Sequence, residues 1–157
     1  LEGTRPILIE VQALVTNANY NTAQRNVTGF NYKRLGMLTA VLEKRIGLAM
    51  GTKDIFVNLV GGLKIDDPAA DLSIISAIAS STMDKYIEKD IILCGEVGLT
   101  GEVRSISHLN QRITEALSLG FKKAIVPSYG MKEKLKNVDM DLYPVKNVKE
   151  TFKILFQ

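Results

Sequence analysis

Tryptophan is absent from the 157 residues, and cysteine and histidine occur once each, as Cys94 and His108. One cysteine excludes an intrachain disulfide, and without a second thiol or imidazole there is no obvious zinc-binding set, so no metal site is expected. Cys94 closes the apolar run Ile91-Ile92-Leu93 and reads as an inert core thiol. His108 reads as a helix-start or surface residue rather than a catalytic one. Long apolar runs are missing too. The stretch from Ile74 to Ala79, interrupted by Ser76, falls far short of the roughly 20 residues a membrane helix needs, so a soluble chain with no membrane partner is expected. The opening Leu1-Glu2-Gly3-Thr4 lacks the basic start and apolar stretch of a secretory signal, which points to a cytoplasmic setting. It leads almost at once into a strand-like run, as an excised domain would, and upstream sequence is expected.

What is present fits one compact domain spanning 1–157: 46% hydrophobic content, no low-complexity tract, and 20 Lys and Arg against 17 Asp and Glu, for a net charge of +3. That mild excess permits nucleic-acid binding without requiring it, so the distribution of the charges matters more than their sum.

Periodicity predicts a strand over Ile7–Val15, a polar turn over Asn17–Asn21, and an amphipathic helix over Lys33–Gly47 carried by Leu35, Leu38, Leu42 and Ile46 and ended by Gly47. A buried strand over Asp54–Val60 stops at Gly61-Gly62 and feeds a largely apolar helix over Ala69–Met83. A short strand over Ile91–Cys94 follows, then a turn or hairpin over Gly98–Arg104 and a helix over Leu109–Leu119 closed by Gly120. Ala124-Ile125-Val126 is a strand with Pro127 as its stop. A Lys-rich helix near Met131–Lys136, an edge segment over Asp141–Val145 and a last helix from Asn147 complete an α/β alternation.

Two nucleotide-binding motifs fail. Gly95, Gly98 and Gly101 are spaced G-x-x-G-x-x-G rather than as a dinucleotide fingerprint, and Glu96 and Glu102 flank the turn where a pyrophosphate needs positive potential. Gly47, Gly51 and Lys53 have the wrong spacing for a P-loop and lie between a helix and a strand, the reverse of the required order, so this chain is expected to bind no ATP. Ser80 and Ser81 have no placed activating base and read as small helix-packing residues.

Four segments taken together carry a resemblance: Gly61-Gly62; Asp67-Pro68-Ala69-Ala70-Asp71-Leu72; Gly95-Glu96-Val97-Gly98-Leu99-Thr100-Gly101-Glu102-Val103-Arg104; and Gly120-Phe121-Lys122-Lys123-Ala124-Ile125-Val126-Pro127. With the opening Glu2-Gly3-Thr4-Arg5-Pro6 and Glu10–Val15, this set resembles the family of Lon-protease-like domains found at the C-terminus of bacterial RadA (Sms) proteins. The resemblance runs from about Glu2 to Pro127. It implies the Lon proteolytic-domain fold, ribosomal protein S5 domain 2-like, with mixed sheets and packed helices.

In Lon proteases a serine attacks and a lysine activates it. Laid on this sequence, that pattern puts Ala69 at the nucleophile and Arg112 at the base, so the resemblance implies a degenerate dyad and no catalytic residue. A methyl group cannot attack, and a guanidinium stays protonated and cannot accept the serine proton. Arg112 either contacts phosphate through its planar donors or makes an internal salt bridge with Asp67 or Asp71. The resemblance further implies a domain that helps a homohexameric ring engage DNA, single-stranded or branched. Its parent would be a branch-migrating, DNA-dependent ATPase whose ATP, magnesium and zinc belong to domains absent here. Arg25, Lys33, Arg34, Lys44, Arg45, Lys64, Arg104 and Arg112 are the candidates for DNA backbone contacts, although solvated helix faces would look much the same. Of the aromatics near the basic cluster there are only Tyr20, Phe30 and Tyr32, so phosphate neutralisation should outweigh base stacking. Two other readings stay open: a residual peptidase using Ser73 or Ser76, and a purely structural oligomerisation module.

Overall fold

The computed structural model describes residues 5–19, 22–131, 135 and 138–157. The first sheet has the order β1-β3-β2, with β1 (Val11–Asn17) antiparallel and β2 (Arg25–Thr28) parallel to the central β3 (Lys53–Leu59). Between β2 and β3 the chain crosses over through α1 (Tyr32–Val41), which continues into a π-turn at Leu42–Ile46. Asn31 caps α1 by accepting from Lys33 N at 2.8 Å, and Gly47 ends the π-turn at φ 84, a left-handed conformation that costs glycine little.

A 3-10 turn at Pro68–Ala70 leads into α2 (Asp71–Met83), the most buried helix, with Leu72, Ile75 and Ile78 fully enclosed. The second sheet is all parallel, ordered β4 (Ile91–Leu93), β7 (Lys123–Pro127), β8 (Asp141–Val145). Between β4 and β7 come the hairpin β5 (Glu96–Val97) with β6 (Val103–Arg104), and α3 (Leu109–Ser118). The chain closes on α4 (Val148–Phe156), capped by Asn147, whose side chain accepts from Glu150 N.

Two cores share β7. Ile125 joins the cluster built on α1, α2, the first sheet and Phe152 of α4, while Ala124 and Val126 join Ile113 and Ala116 of α3. Alternation along a strand buried on both faces is what places neighbours in different cores. Each of the enclosed leucines and isoleucines contributes about 1.5–3 kcal/mol of burial. No helix among the described residues is long and apolar enough to cross a membrane.

The mixed α/β architecture agrees with the expectation from sequence, and its boundaries differ in instructive ways. The first strand begins at Val11, not Ile7, because β3 offers partners only from Leu59, opposite Val11, to Lys53, opposite Asn17. Residues 6–10 belong to no strand, although Glu10 O still accepts from Val60 N at 3.0 Å. Strand β2 is not expected from the sequence, since Val27 is its single large apolar residue. The Ala69–Met83 helix divides into a 3-10 turn and an α-helix, with Pro68 rather than Ala69 opening it. Asp141–Val145 is an edge strand as expected, and Pro144 lies where a missing N–H is tolerated. The expected Met131–Lys136 helix, part of the Asn17–Asn21 turn, Tyr20 and the Glu2–Thr4 stretch lie outside the described residues.

Candidate functional site

The loop after β3 turns at Gly61 and Gly62, both at positive φ, and reaches Asp67. Asp67 is the N-cap of the 3-10 turn: its Oδ1 accepts from Ala69 N at 3.0 Å, and Pro68 occupies the first helical position, where no N–H is needed. The turn is sutured to the link between β4 and β5, with Gly95 N donating to Ala69 O at 3.0 Å and Leu72 N donating to Gly95 O at 3.1 Å. Gly95 must be small, because a Cβ there would lie 2.7 Å from Val103 Cγ1. Ala69 is thereby fixed and buried, at 4% exposure.

Arg112 reaches the same turn from the first turn of α3. Its Nη2 donates to Asp67 Oδ2 at 2.7 Å and its Nε to Ser107 O at 2.9 Å. The two positions that the Lon resemblance pairs are therefore joined through one carboxylate, which holds the Ala69 amide with one oxygen and the Arg112 guanidinium with the other. Of the two aspartates weighed as partners for Arg112, Asp67 is the one bound. Partial burial, the largest single influence on Asp67, pushes its carboxyl upward. Hydrogen bonds, those from Arg112 and Ala69 N among them, together with the guanidinium charge outweigh it and bring the group down to about 2.

Asp71 has a different partner. At 1% exposure it accepts from Arg34 Nε at 2.6 Å, from Arg34 Nη2, and from Val97 N at 3.0 Å, tying α1, α2 and the β5-β6 hairpin together. Burial raises the Asp71 carboxyl against the pull of these donors, and the bond to Asp71 raises Arg34. This bidentate pair is not foreseeable from sequence; its only signal is an aspartate at the first turn of an otherwise apolar helix.

Asp67, Ala69, Ser73, Ile92, Cys94 and Arg112 line a cleft of about 710 Å³, which residues 6–11 and the free edge of β4 also wall. Neither Ala69 nor Arg112 offers it a nucleophile or a neutral amine. Ser73 Oγ faces the cleft but donates to Leu93 O at 2.8 Å, and Ser76 is fully buried within α2. Cys94 is 7% exposed, and burial pushes its thiol up to about 12, far from the thiolate a nucleophile needs. His108 is the N-cap of α3 at φ 57 and makes no side-chain capping bond. Ser81 Oγ accepts from Val15 N at 2.9 Å and Ser80 Oγ donates to Lys85 O, so both serve packing and helix termination.

The basic candidates separate into two kinds. Arg34 and Arg112 are ion-paired as described, and Arg104 pairs with Glu102 at 2.6 Å and Glu96 at 3.4 Å. The hydrogen bond from Thr100, the leading cause, together with Arg104 holds Glu102 down at about 2. Arg25 Nη2 donates to Met50 O at 2.9 Å and Arg45 Nε to Leu99 O at 3.4 Å. Lys33, Lys44 and Lys64 are exposed, and their ammonium groups bond to no other described residue. They lie on the first turn of α1, the π-turn and the loop before Asp67, so they do not form one tight cluster by adjacency in the chain. Near them Tyr32 is 59% exposed, whereas Phe30 is committed to the core.

Residues 32–157 match the Lon protease (S16) C-terminal proteolytic domain. The chain is also 42% identical over 155 residues to the DNA repair protein RadA of Aquifex aeolicus, covering 99% of this chain and 34% of that protein. Against RadA of Bacillus subtilis the identity is 42% over 153 residues, 98% of this chain and 33% of that protein. Against RadA of Streptococcus pneumoniae it is 42% over 156 residues, 99% of this chain and 37% of that protein. The chain thus spans about a third of the length of the curated relatives it matches. Matched over most of its length, and carrying an alanine and an ion-paired arginine where the resemblance puts the dyad, the chain belongs to the Lon protease C-terminal proteolytic domain family in the Lon-like form seen in RadA.

Proposed function

We propose that this chain is the non-proteolytic Lon-like domain of a cytoplasmic RadA-type DNA repair and recombination protein, serving as a scaffold for a homohexameric ring and as a surface for the DNA backbone. The remainder of such a protein would be a DNA-dependent ATPase that drives branch migration, with ATP, magnesium and zinc held outside this domain. The observation that carries the reading is the Ala69–Asp67–Arg112 arrangement: the carboxylate occupies the guanidinium and the loop amide together. Ala69 has no group to attack a peptide bond, and the Arg112 guanidinium cannot take a proton from one.

Ion pairing narrows the choice among the basic residues. A guanidinium already paired with a buried or half-buried carboxylate has little net charge to offer a phosphate, whereas Arg25 and Arg45, bonded only to neutral carbonyls, keep their charge, and Lys33, Lys44 and Lys64 keep theirs with no bond to hold the side chain back. Replacing these three lysines by glutamine is expected to weaken single-stranded DNA binding and to lower the salt slope of log K by about 0.7 for each phosphate no longer neutralised. Fluorescence anisotropy across a salt series reads both. An unchanged slope would remove these residues from the DNA surface, and absence of binding by the wild type would remove the DNA role from this domain.

Ser73 favours one competing reading, since it faces the cleft. A residual peptidase would label with a fluorophosphonate probe in a manner abolished by Ser73→Ala; the hydrogen bond to Leu93 O and the lack of a base argue for no labelling.

A further inference from the structure

The sheet β1-β3-β2 packs its inner face, Ile55, Val57 and Leu59 of β3 with Val11, Ala13 and Val15 of β1, against the main core. No other described residue covers its outer face. The register sets three cross-strand rows there. Gln12 lies opposite Asn58, which lies opposite Thr28; Leu14 lies opposite Phe56, which lies opposite Asn26; and Thr16 lies opposite Asp54. Leu14 is 57% exposed and Phe56 half-buried, so the middle row has an apolar centre, bordered by amides, hydroxyls and the Asp54 carboxylate. A shallow depression of about 280 Å³ runs over these residues.

In a chain that is 24% charged, the two rows containing Leu14 and Gln12 carry no charge at all. An apolar centre, a hydrogen-bonding border and few charges, Asp54 alone among the three rows, are the anatomy of a protein contact. They are the wrong equipment for nucleic acid, which requires lysine or arginine to meet phosphate. The charges bordering the face are hydrogen-bonded within the chain: Asp54 Oδ1 accepts from Gln24 N at 2.7 Å, and Gln12 donates to Glu10 at 3.0 Å.

We propose that this face is a two-fold contact between copies of the chain, with the Leu14–Phe56–Asn26 row lying along the axis. The rows stand at equal spacing on either side of that one. An axis along the middle row therefore sets each residue of it over its own copy and brings Asp54 of one chain over the Gln12–Asn58 row of the other. Leu14 and Phe56 meet themselves without repulsion, Asn26 amides pair as donor and acceptor, and the one carboxylate meets amide donors. Self-complementarity of this kind belongs to isologous contacts, which close at two copies. The contact goes beyond the ring reading above, since a ring needs a different, head-to-tail surface and can form with or without it. Three strands of this length cover about 300 Å² per copy, against about 800 Å² per partner in a standard stable complex. The association is accordingly weak, and measurable at tens to hundreds of micromolar chain.

Sedimentation equilibrium of the wild type, Leu14→Lys, Leu14→Glu and an equimolar mixture of the two variants tests the proposal, with circular dichroism confirming that this exposed position leaves the fold intact. Each variant alone is expected to weaken pairing about tenfold or more, and the mixture to restore it, because lysine then faces glutamate across the axis. Restoration occurs only if the same face meets itself. Wild-type pairing that survives Leu14→Lys would overturn the face while leaving ring assembly standing, and a wild type that never pairs at these concentrations would overturn it as well. Loss of single-stranded DNA binding in Leu14→Lys with pairing unchanged would assign the face to nucleic acid instead.

Discussion

Ala69 and Arg112 acquire their meaning from Asp67. An alanine in a loop can be a chance loss of a hydroxyl, but here the backbone amide of Ala69 and the guanidinium of Arg112 divide one carboxylate between them. A serine placed at position 69 would therefore find no free base there. Ala69→Ser is expected to show no fluorophosphonate labelling, because its nearest basic group is a carboxylate already bound on both oxygens; labelling at position 69 would mean the site retains a base. Asp67 also gives an acid-stability signature. Its folded value of about 2 lies below the ordinary 3.8, so the stability it contributes is fully present above about pH 4 and is lost as pH falls through about 2. Discounted for its partial exposure, the contribution is about 1–2 kcal/mol. Urea titrations should show Asp67→Asn destabilised by that amount at pH 7 and converging with the wild type near pH 2.

Among the elements, α2 is held by an ion pair at its first turn. Asp71 takes three N–H donors from α1 and from β5, so the helix carrying much of the main core is also the junction of three elements. Asp71→Asn leaves the Arg34 guanidinium without its anion and is expected to cost about 3 kcal/mol. Urea denaturation measures it, and a double-mutant cycle with Arg34→Gln should recover part of the loss; strict additivity would show that the pair is not coupled. The elements themselves were legible wherever periodicity was long: α1 from Leu35, Leu38 and Leu42, α2 from its apolar run, α3 from the stop at Gly120. Strand β2 was not, because one valine in four residues leaves almost no alternation to read, and it exists through pairing with β3. The early start assigned to β1 failed for the same reason, since alternation continues past the point where β3 supplies partners.

For the whole molecule, the two cores on either face of β7 bring Arg112 on α3 against the turn that opens α2. Beside that turn lies the cleft lined by Asp67, Ala69, Ser73 and Arg112. The basic residues, scattered through the sequence, become unequal once folded: Arg34, Arg104 and Arg112 enter ion pairs, Arg25 and Arg45 are held by carbonyls but keep their charge, and Lys33, Lys44 and Lys64 stand at the surface with neither. A DNA role resting on these lysines predicts strong salt dependence with little sequence preference, because phosphate neutralisation reads no bases. Comparing affinities for two unrelated single strands at two salt concentrations distinguishes this from stacking on Tyr32, which would leave much of the binding at high salt.

The sequence by itself determined the α/β alternation, the Asp-Pro start of the catalytic-like turn, the inertness of a lone cysteine and the family resemblance that sets Ala69 beside Arg112. These are local or cumulative properties, written in spacing and residue type. Only the tertiary structure decided which aspartate takes which arginine, and which cations remain unpaired. Asp67 and Asp71 are four positions apart, yet one faces α3 and the other α1, and that division depends on distances across the fold that no spacing along the chain encodes.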